Sequence, residues 1–239
     1  MVKAIHDLEI QARVVPTHGR WPNIPTIHWG KLHAGVAALR ALVAGVDASC
    51  LSVEADPDLS PEGLYRRRAD IGRKGITELN ALAAVAGAES AVAKAIATFE
   101  SGMVADIPKP TSAADIAMGE EIRAFIRTTK SSPFDFAMRN INDPRVLAAV
   151  LHAPAFLTGL DDAMFEAIKA KAAIALNPEK LAQKKQAEGA LEELRKGVDA
   201  AQRMIMSRTE TVQDIKSGIV RGIRDPAPAP EAALPAAAQ

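Results

Sequence analysis

Apolar residues recur three and four positions apart along most of the chain, the spacing of amphipathic helices. No run of alternating apolar residues is long enough for a sheet, so the class predicted is all-α. Pro16, Pro22 and Pro25 interrupt the chain between Val14 and Trp29, and residues 1–30 read as an irregular, extended arm. An alanine-rich apolar helix is predicted from Lys31 to about Val46. Ser60 as N-cap, Pro61 at the first helical position and Glu62 in the first turn start the next helix. It can run toward Phe99, although Gly63, Gly72, Gly75 and Gly87 weaken it. Thr111 or Ser112 caps a helix through IAMGEEIRAFIR that ends near Pro133, and Asp143-Pro144 starts a short one that Pro154 ends. The LTGLDD segment caps a further helix, and Asn177-Pro178-Glu179 starts the last and longest. Beyond Arg224 prolines and alanines alternate, which cannot build a core and predicts a flexible or polyproline-like tail. The organisation expected is an elongated protein: an arm over 1–30, a helical body over 31–176, a long C-terminal helix over 177–224 and a tail over 225–239.

The last helix carries the strongest pattern. Leu191, Val198, Ile205, Val212 and Ile219 are spaced by seven; Leu194, Ala201 and Ile215 fill three alternate positions, and Arg208 breaks the series. β-Branched residues at the first position with Leu or Ile at the second suit a parallel two-stranded coiled coil. A helix from Pro178 to Arg224 would be roughly 70 Å long at about 1.5 Å per residue, longer than a compact domain needs. Two features weigh against a strong coiled coil. Gly189, Gly197, Gly218 and Gly222 cost helix stability, and the flanking heptad positions lack opposite-charge pairs. The same stripe could instead pack against its own chain, for instance on the face of Leu64, Ile71, Leu79 and Leu82. Both arrangements stay open from the sequence.

The segment YRRRADIGRK, Tyr65–Lys74, is the densest run of positive charge. At about 100° per residue its cations spread around the helix and do not form a stripe. Acidic partners sit four residues away: Glu62 from Arg66, Asp70 from Lys74, Glu78 from Lys74. A phosphate-binding face needs unpaired cations on one side, so nucleic-acid binding is not expected here. Arg68 is the exception. It projects near the apolar side, where its stem can cover apolar surface while its head reaches a partner.

Composition narrows the chemistry. Hydrophobic residues make up 48% of the 239, yet aromatics only 4%, and alanine supplies much of the rest, which favours helices laid closely together over one thick core. Lys and Arg total 29 and so do Asp and Glu, leaving no global field to draw nucleic acid or membrane. The start lacks the apolar core of a signal peptide. The most apolar stretch, Leu32–Val46, is too short to span a bilayer and contains Arg40, so the chain reads as soluble and intracellular. A single cysteine, Cys50, excludes an internal disulfide and is expected to be an inert buried thiol. His18, His28 and His33 have no accompanying Cys or carboxylate in sequence, and His152 sits where it would cap a helix end. No phosphate loop, dinucleotide fingerprint, nucleophile elbow or zinc-protease helix occurs, so no catalytic residue, cofactor or metal ligand is named. Trp21 and Trp29 could lie across a groove of a neighbouring subunit as a docking arm, or cap their own core.

Two segments carry a resemblance. One is LSPEGLYRRRADIGRKGITELNAL; the other runs from EEIRAFIR through INDPRVLAAVLHAPAFLTGLDDAMFEAIKAKAAIALNP into the last helix. The SPEG start, the short helix ending in HAPAFLTGL and the NPEK start resemble a loose group of uncharacterised helical proteins from phage and prophage structural gene clusters. The resemblance implies a virion-associated or assembly protein, in the particle or in the host cytoplasm during assembly. Such a protein would be a non-enzymatic homo-oligomer that binds capsid, connector or tail subunits. It carries over no functional residue. The partner-binding positions expected here are Trp21, Trp29, Arg68 and the heptad residues Leu191, Leu194, Val198, Ile205, Val212, Ile215 and Ile219. The alternatives are a cytoplasmic adaptor or regulator that stays out of particles, and an enzyme whose site assembles from distant loops.

Overall fold

A computed structural model describes residues 4–129, 132–214 and 217–225. Ile215 and the Pro–Ala tail beyond Asp225 lie outside them. The class is all-α, as the spacing predicts. The helices are α1 (Asp7–Arg13), α2 (Ile27–Glu54), α3 (Pro61–Asn80), α4 (Ala83–Ala105), α5 (Ala113–Thr128), α6 (Pro133–Arg139), α7 (Pro144–Leu151), α8 (Asp162–Leu176) and α9 (Pro178–Thr209). Short 3-10 turns occupy Pro16–Arg20 and Ala155–Leu157, and strands β1 (Thr211–Gln213) and β2 (Val220–Gly222) form one antiparallel hairpin. Local chemistry sets most helix starts. Ser60 accepts from the Gly63 amide, Ser112 and Asp115 form a reciprocal capping box, and Asp143 and Asp161 accept from Arg145 and Met164.

The chain divides into two compact units, residues 1–89 with 191–239, and residues 90–190. The first is built on α2, whose buried stripe of Leu32, Val36, Leu39, Val43, Val46 and Cys50 follows helical spacing. Val14, Val15, Ala69, Ile76, Leu194, Ala201 and Ile205 complete that core. The buried face of α3 is Tyr65, Arg68, Ala69, Gly72, Gly75, Ile76 and Leu79, rotated from the face of Leu64, Ile71, Leu79 and Leu82 that the apolar pattern predicts. Glycine explains the rotation. A Cβ on Gly75 would lie 2.8 Å from Val46 Cγ2, and one on Gly72 would lie 2.9 Å from Thr209 Cβ, so α3 needs both positions bare to approach its neighbours.

Three expectations are corrected. Residues 7–13 and 16–20 are helical turns and Trp29 lies within α2, so residues 4–30 form part of a unit and are not an extended arm. The helix of α3 does not run on to Phe99; it stops at Asn80 and α4 begins at Ala83. Finally, α9 ends at Thr209 after 32 residues, well short of Arg224. Glu210 then takes a left-handed φ of 52°, the chain turns back, and Ile223 donates its amide to the Glu210 carbonyl.

The second unit packs Ile126, Val146, Leu147, Val150, Ile168 and Ala172 of α5, α7 and α8, and Leu160 of the loop before α8, with the half-buried rings of Phe134, Phe136 and Phe165. Asn177 ties its start of α9 down by donating to the Met103 and Ala173 carbonyls. His152 is the C-cap residue of α7. Two helical stretches, Ile27–Glu54 and Pro61–Ala105, are long and apolar enough by length and composition to cross a membrane. The 28 residues of α2 exceed the short Leu32–Val46 segment, so shortness does not exclude it; its stripe lies in the core of the first unit.

Candidate functional site

The most unusual chemistry in the first unit is a buried cluster of charge. Arg208, the residue that breaks the heptad series, is fully enclosed and donates Nη1 and Nη2 to Glu54 at 2.6 and 3.0 Å and Nε to Asp47. These bonds raise its pKa still further above the arginine range, and the bond from Arg208 is the main reason Glu54 is held below the usual carboxylate value. Arg68, 6% exposed, donates Nη2 to the Arg208 carbonyl at 3.2 Å and lies within 3.8 Å of Glu54 and 3.7 Å of Glu210. It therefore occupies an unfilled carbonyl at the end of α9 and does not reach out to a partner, a correction to its expected role. Its Nε is buried with no hydrogen bond. Cys50 lies in the same core, and burial pushes its thiol up, which keeps it protonated and unreactive. The cluster joins α2, α3, α9 and the hairpin.

A second cluster gathers both tryptophans. Trp21 and Thr17 donate to the Glu193 carboxylate, the former at 2.7 Å, and Trp21 lies 6.3 Å from Trp29 between ring centroids. His18 Nε2 and His33 Nδ1 are 2.8 Å apart, and His33 Nε2 faces the Pro22 carbonyl at 3.2 Å. Arg40 donates to the carbonyls of Val14 and Val15, fixing the chain just before this turn. Trp29 is 4% exposed and belongs to the core of its own unit, while Trp21 is half-buried beside it. Glu193 is the residue that sequence reasoning missed: the carboxylate partner of this cluster lies more than 170 positions away, beyond any local pattern.

The heptad positions separate at the end of α9. Leu191, Leu194 and Ile205 are buried with Ala201 in the first unit, and Val198 is half-buried. Their stripe packs on its own chain. Val212 and Ile219 lie in the hairpin and are exposed, the latter 62%, as is Ile223; the inward positions Thr211 and Gly222 pair with each other against α3. In the second unit Ile116, Met118, Phe125 and Phe156 are also exposed.

Among the described residues no group of three or more His, Cys, Asp or Glu side chains is placed to hold a metal ion. The expected pairing along α3 holds for Glu62 with Arg66 and Lys74 with Glu78, while Asp70 pairs with Arg73 in place of Lys74. No protein-family model, curated protein or solved structure matches the chain.

Proposed function

We propose that this chain is a non-enzymatic structural or assembly protein of a phage-like particle, which binds capsid, connector or tail subunits through exposed faces of its helices. The observation that carries this reading is the solvent exposure of Phe125 (56%) and Phe156 (75%) in a chain with only six phenylalanines. Large apolar side chains left outside a core, where aromatic residues are scarce, favour a surface that another protein covers. The resemblance of the α3 and α5–α9 segments to proteins of phage structural gene clusters supplies the kind of partner. The seam of α9 is used within the fold as far as Ile205, so self-association, if it occurs, draws on the hairpin or on the second unit.

Co-sedimentation tests the reading. The full-length protein is mixed with assembled particles of the host phage or prophage, and its amount in the particle fraction is quantified. Binding at a fixed stoichiometry that Phe125→Ser and Phe156→Ser abolish, with circular dichroism unchanged, supports it. Protein that stays in the supernatant overturns it in favour of a cytoplasmic adaptor.

A further inference from the structure

Two depressions in the second unit, about 240 and 330 Å³, share Pro110, Asp115, Gly119 and Ala148 and so form one groove along α5 and α7. Its floor is made of small residues. A Cβ on Gly119 would lie 3.7 Å from Ala149 Cα and 3.2 Å from Arg123 Nη1, so a bare position lets the two helices meet low and leaves a trough above them. Ala148 and Ala149 complete the floor from α7, and Ile116, Met118 and Leu157 form apolar walls. Ile116 is 53% and Met118 42% exposed, and the exposed Phe156 adjoins Leu157.

The charged groups of the groove are unequally committed. Asp115 accepts from the Thr111 amide and hydroxyl and from the Ser112 amide, and Arg145 turns back to Asp143. Arg123 spends only Nη1, on the Ala149 carbonyl at 3.0 Å, a bond that fixes its guanidinium in the groove. Its Nε and Nη2, and the Lys109 ammonium, have no partner among the described residues. Lys109 lines one depression and Arg123 the other, so each end offers an unspent cation, and the complement is an occupant with carboxylates at both ends.

The floor also selects the occupant's conformation. It consists of helix side chains and offers no row of backbone donors and acceptors, so an extended segment would enclose its own amides and carbonyls unpaired. A helix satisfies its own. Between Asp115 and Arg123 α5 rises about 12 Å at about 1.5 Å per residue, which matches two turns of such a helix.

We propose that the groove between α5 and α7 seats an amphipathic helix of a partner protein, whose apolar stripe fills the floor and whose carboxylates, two turns apart, meet Lys109 and Arg123. The inference deepens the reading of the second unit as a partner-binding surface and rests on it in taking the occupant to be protein; the identity of the particle does not enter.

The probes are three fluorescein-labelled synthetic helical peptides that share one leucine stripe and carry glutamate, glutamine or lysine at two positions two turns apart. Fluorescence anisotropy measures their binding to the full-length protein. The expected result is that the glutamate peptide binds about tenfold more tightly than the glutamine peptide and the lysine peptide most weakly, with the preference shrinking as salt is raised. Lys109→Gln and Arg123→Gln should each remove part of that preference and together all of it. Ala148→Trp, which fills the floor, should abolish binding of the glutamate peptide with circular dichroism unchanged. Equal binding of the three peptides, binding of none, or a preference that survives the paired charge substitution would each overturn the groove, and the first two need only the unaltered protein. Peptide binding without co-sedimentation would overturn the particle reading and leave the groove standing; co-sedimentation with all peptides inert would do the reverse.

Discussion

Arg208 and Glu54 meet through two hydrogen bonds, at 2.6 and 3.0 Å, that join the last turn of α9 to the last turn of α2 across 154 positions of chain. The planar fork of the guanidinium matches the carboxylate, and its remaining Nε goes to Asp47. One side chain thereby fixes where two helices end. The heptad pattern cannot continue through this point, because position 208 is committed to an ion cluster and the next turn to the hairpin.

Removing Arg208 should be costly out of proportion to its size. Arg208→Ala leaves the Asp47 carboxylate enclosed without its partner and Glu54 with only Arg68, at 3.8 Å, as counter-charge, and breaking a buried pair of this kind costs about 3–5 kcal/mol. Urea unfolding followed by tryptophan emission reports the first unit, which holds both tryptophans. Arg208→Lys, which cannot fork, should fall between the two. A loss below about 1 kcal/mol, the range of exposed pairs, would show that the cluster is solvated and energetically minor.

Stability should fall in two separate steps as pH is lowered. His18 is held below 6.5, so the unfolded chain binds protons first and stability declines from 6.5 downward to the folded value. Glu54 is held below 4.5 by Arg208, so its contribution is complete above 4.5 and is lost as pH falls through its folded value. Urea midpoints measured against pH should lose the upper step in His18→Gln and weaken the lower one in Glu54→Gln. If both substitutions leave the profile unaltered, these groups are not the ones that titrate with unfolding.

The hairpin depends on a bare backbone at Gly222. A Cβ there would lie 2.9 Å from Tyr65 Cζ and collide with its hydroxyl, which also accepts from the Arg224 amide. Tyr65 is a rigid ring within α3, so Gly222→Ala should lift β2 away at a cost of about 1–3 kcal/mol, the range of overpacking in tight contacts. Hydrogen exchange at residues 220–224 should accelerate while that of α5–α8 does not change. Unaltered exchange in 220–224 would mean that Tyr65 moves aside.

What could be read from the sequence follows the range of each interaction. Ser60 with Pro61, Asp143 with Pro144 and Asn177 with Pro178 mark real helix starts, because a cap is made by neighbours a few residues apart. The end of α9 was not legible. Val212 continues the heptad spacing just as well in a strand, and what stops the helix is Arg68 and Arg208 binding residues more than 130 positions away. The same limit hid the docking of Trp21 on Glu193. The face of α3 was misjudged for another reason: apolar periodicity marks Leu64 and Ile71, but close approach selects Gly72 and Gly75.

Two heptad positions fourteen residues apart should now behave oppositely. Ile205 is fully buried against α2 and α3, so Ile205→Asp encloses an unpaired charge and should unfold the first unit, at a cost of about 4 kcal/mol or more. Ile219 is 62% exposed, so Ile219→Asp should change stability by no more than about 0.5 kcal/mol. Circular dichroism and light scattering on both proteins over a concentration series separate folding from association. If Ile205→Asp stays folded but lowers the mass, the stripe joins chains and its internal packing is incidental. If Ile219→Asp lowers the mass with helicity intact, the outward face of the hairpin is where copies meet, and the heptad series divides at Glu210 into an inner half that folds the chain and an outer half that assembles it.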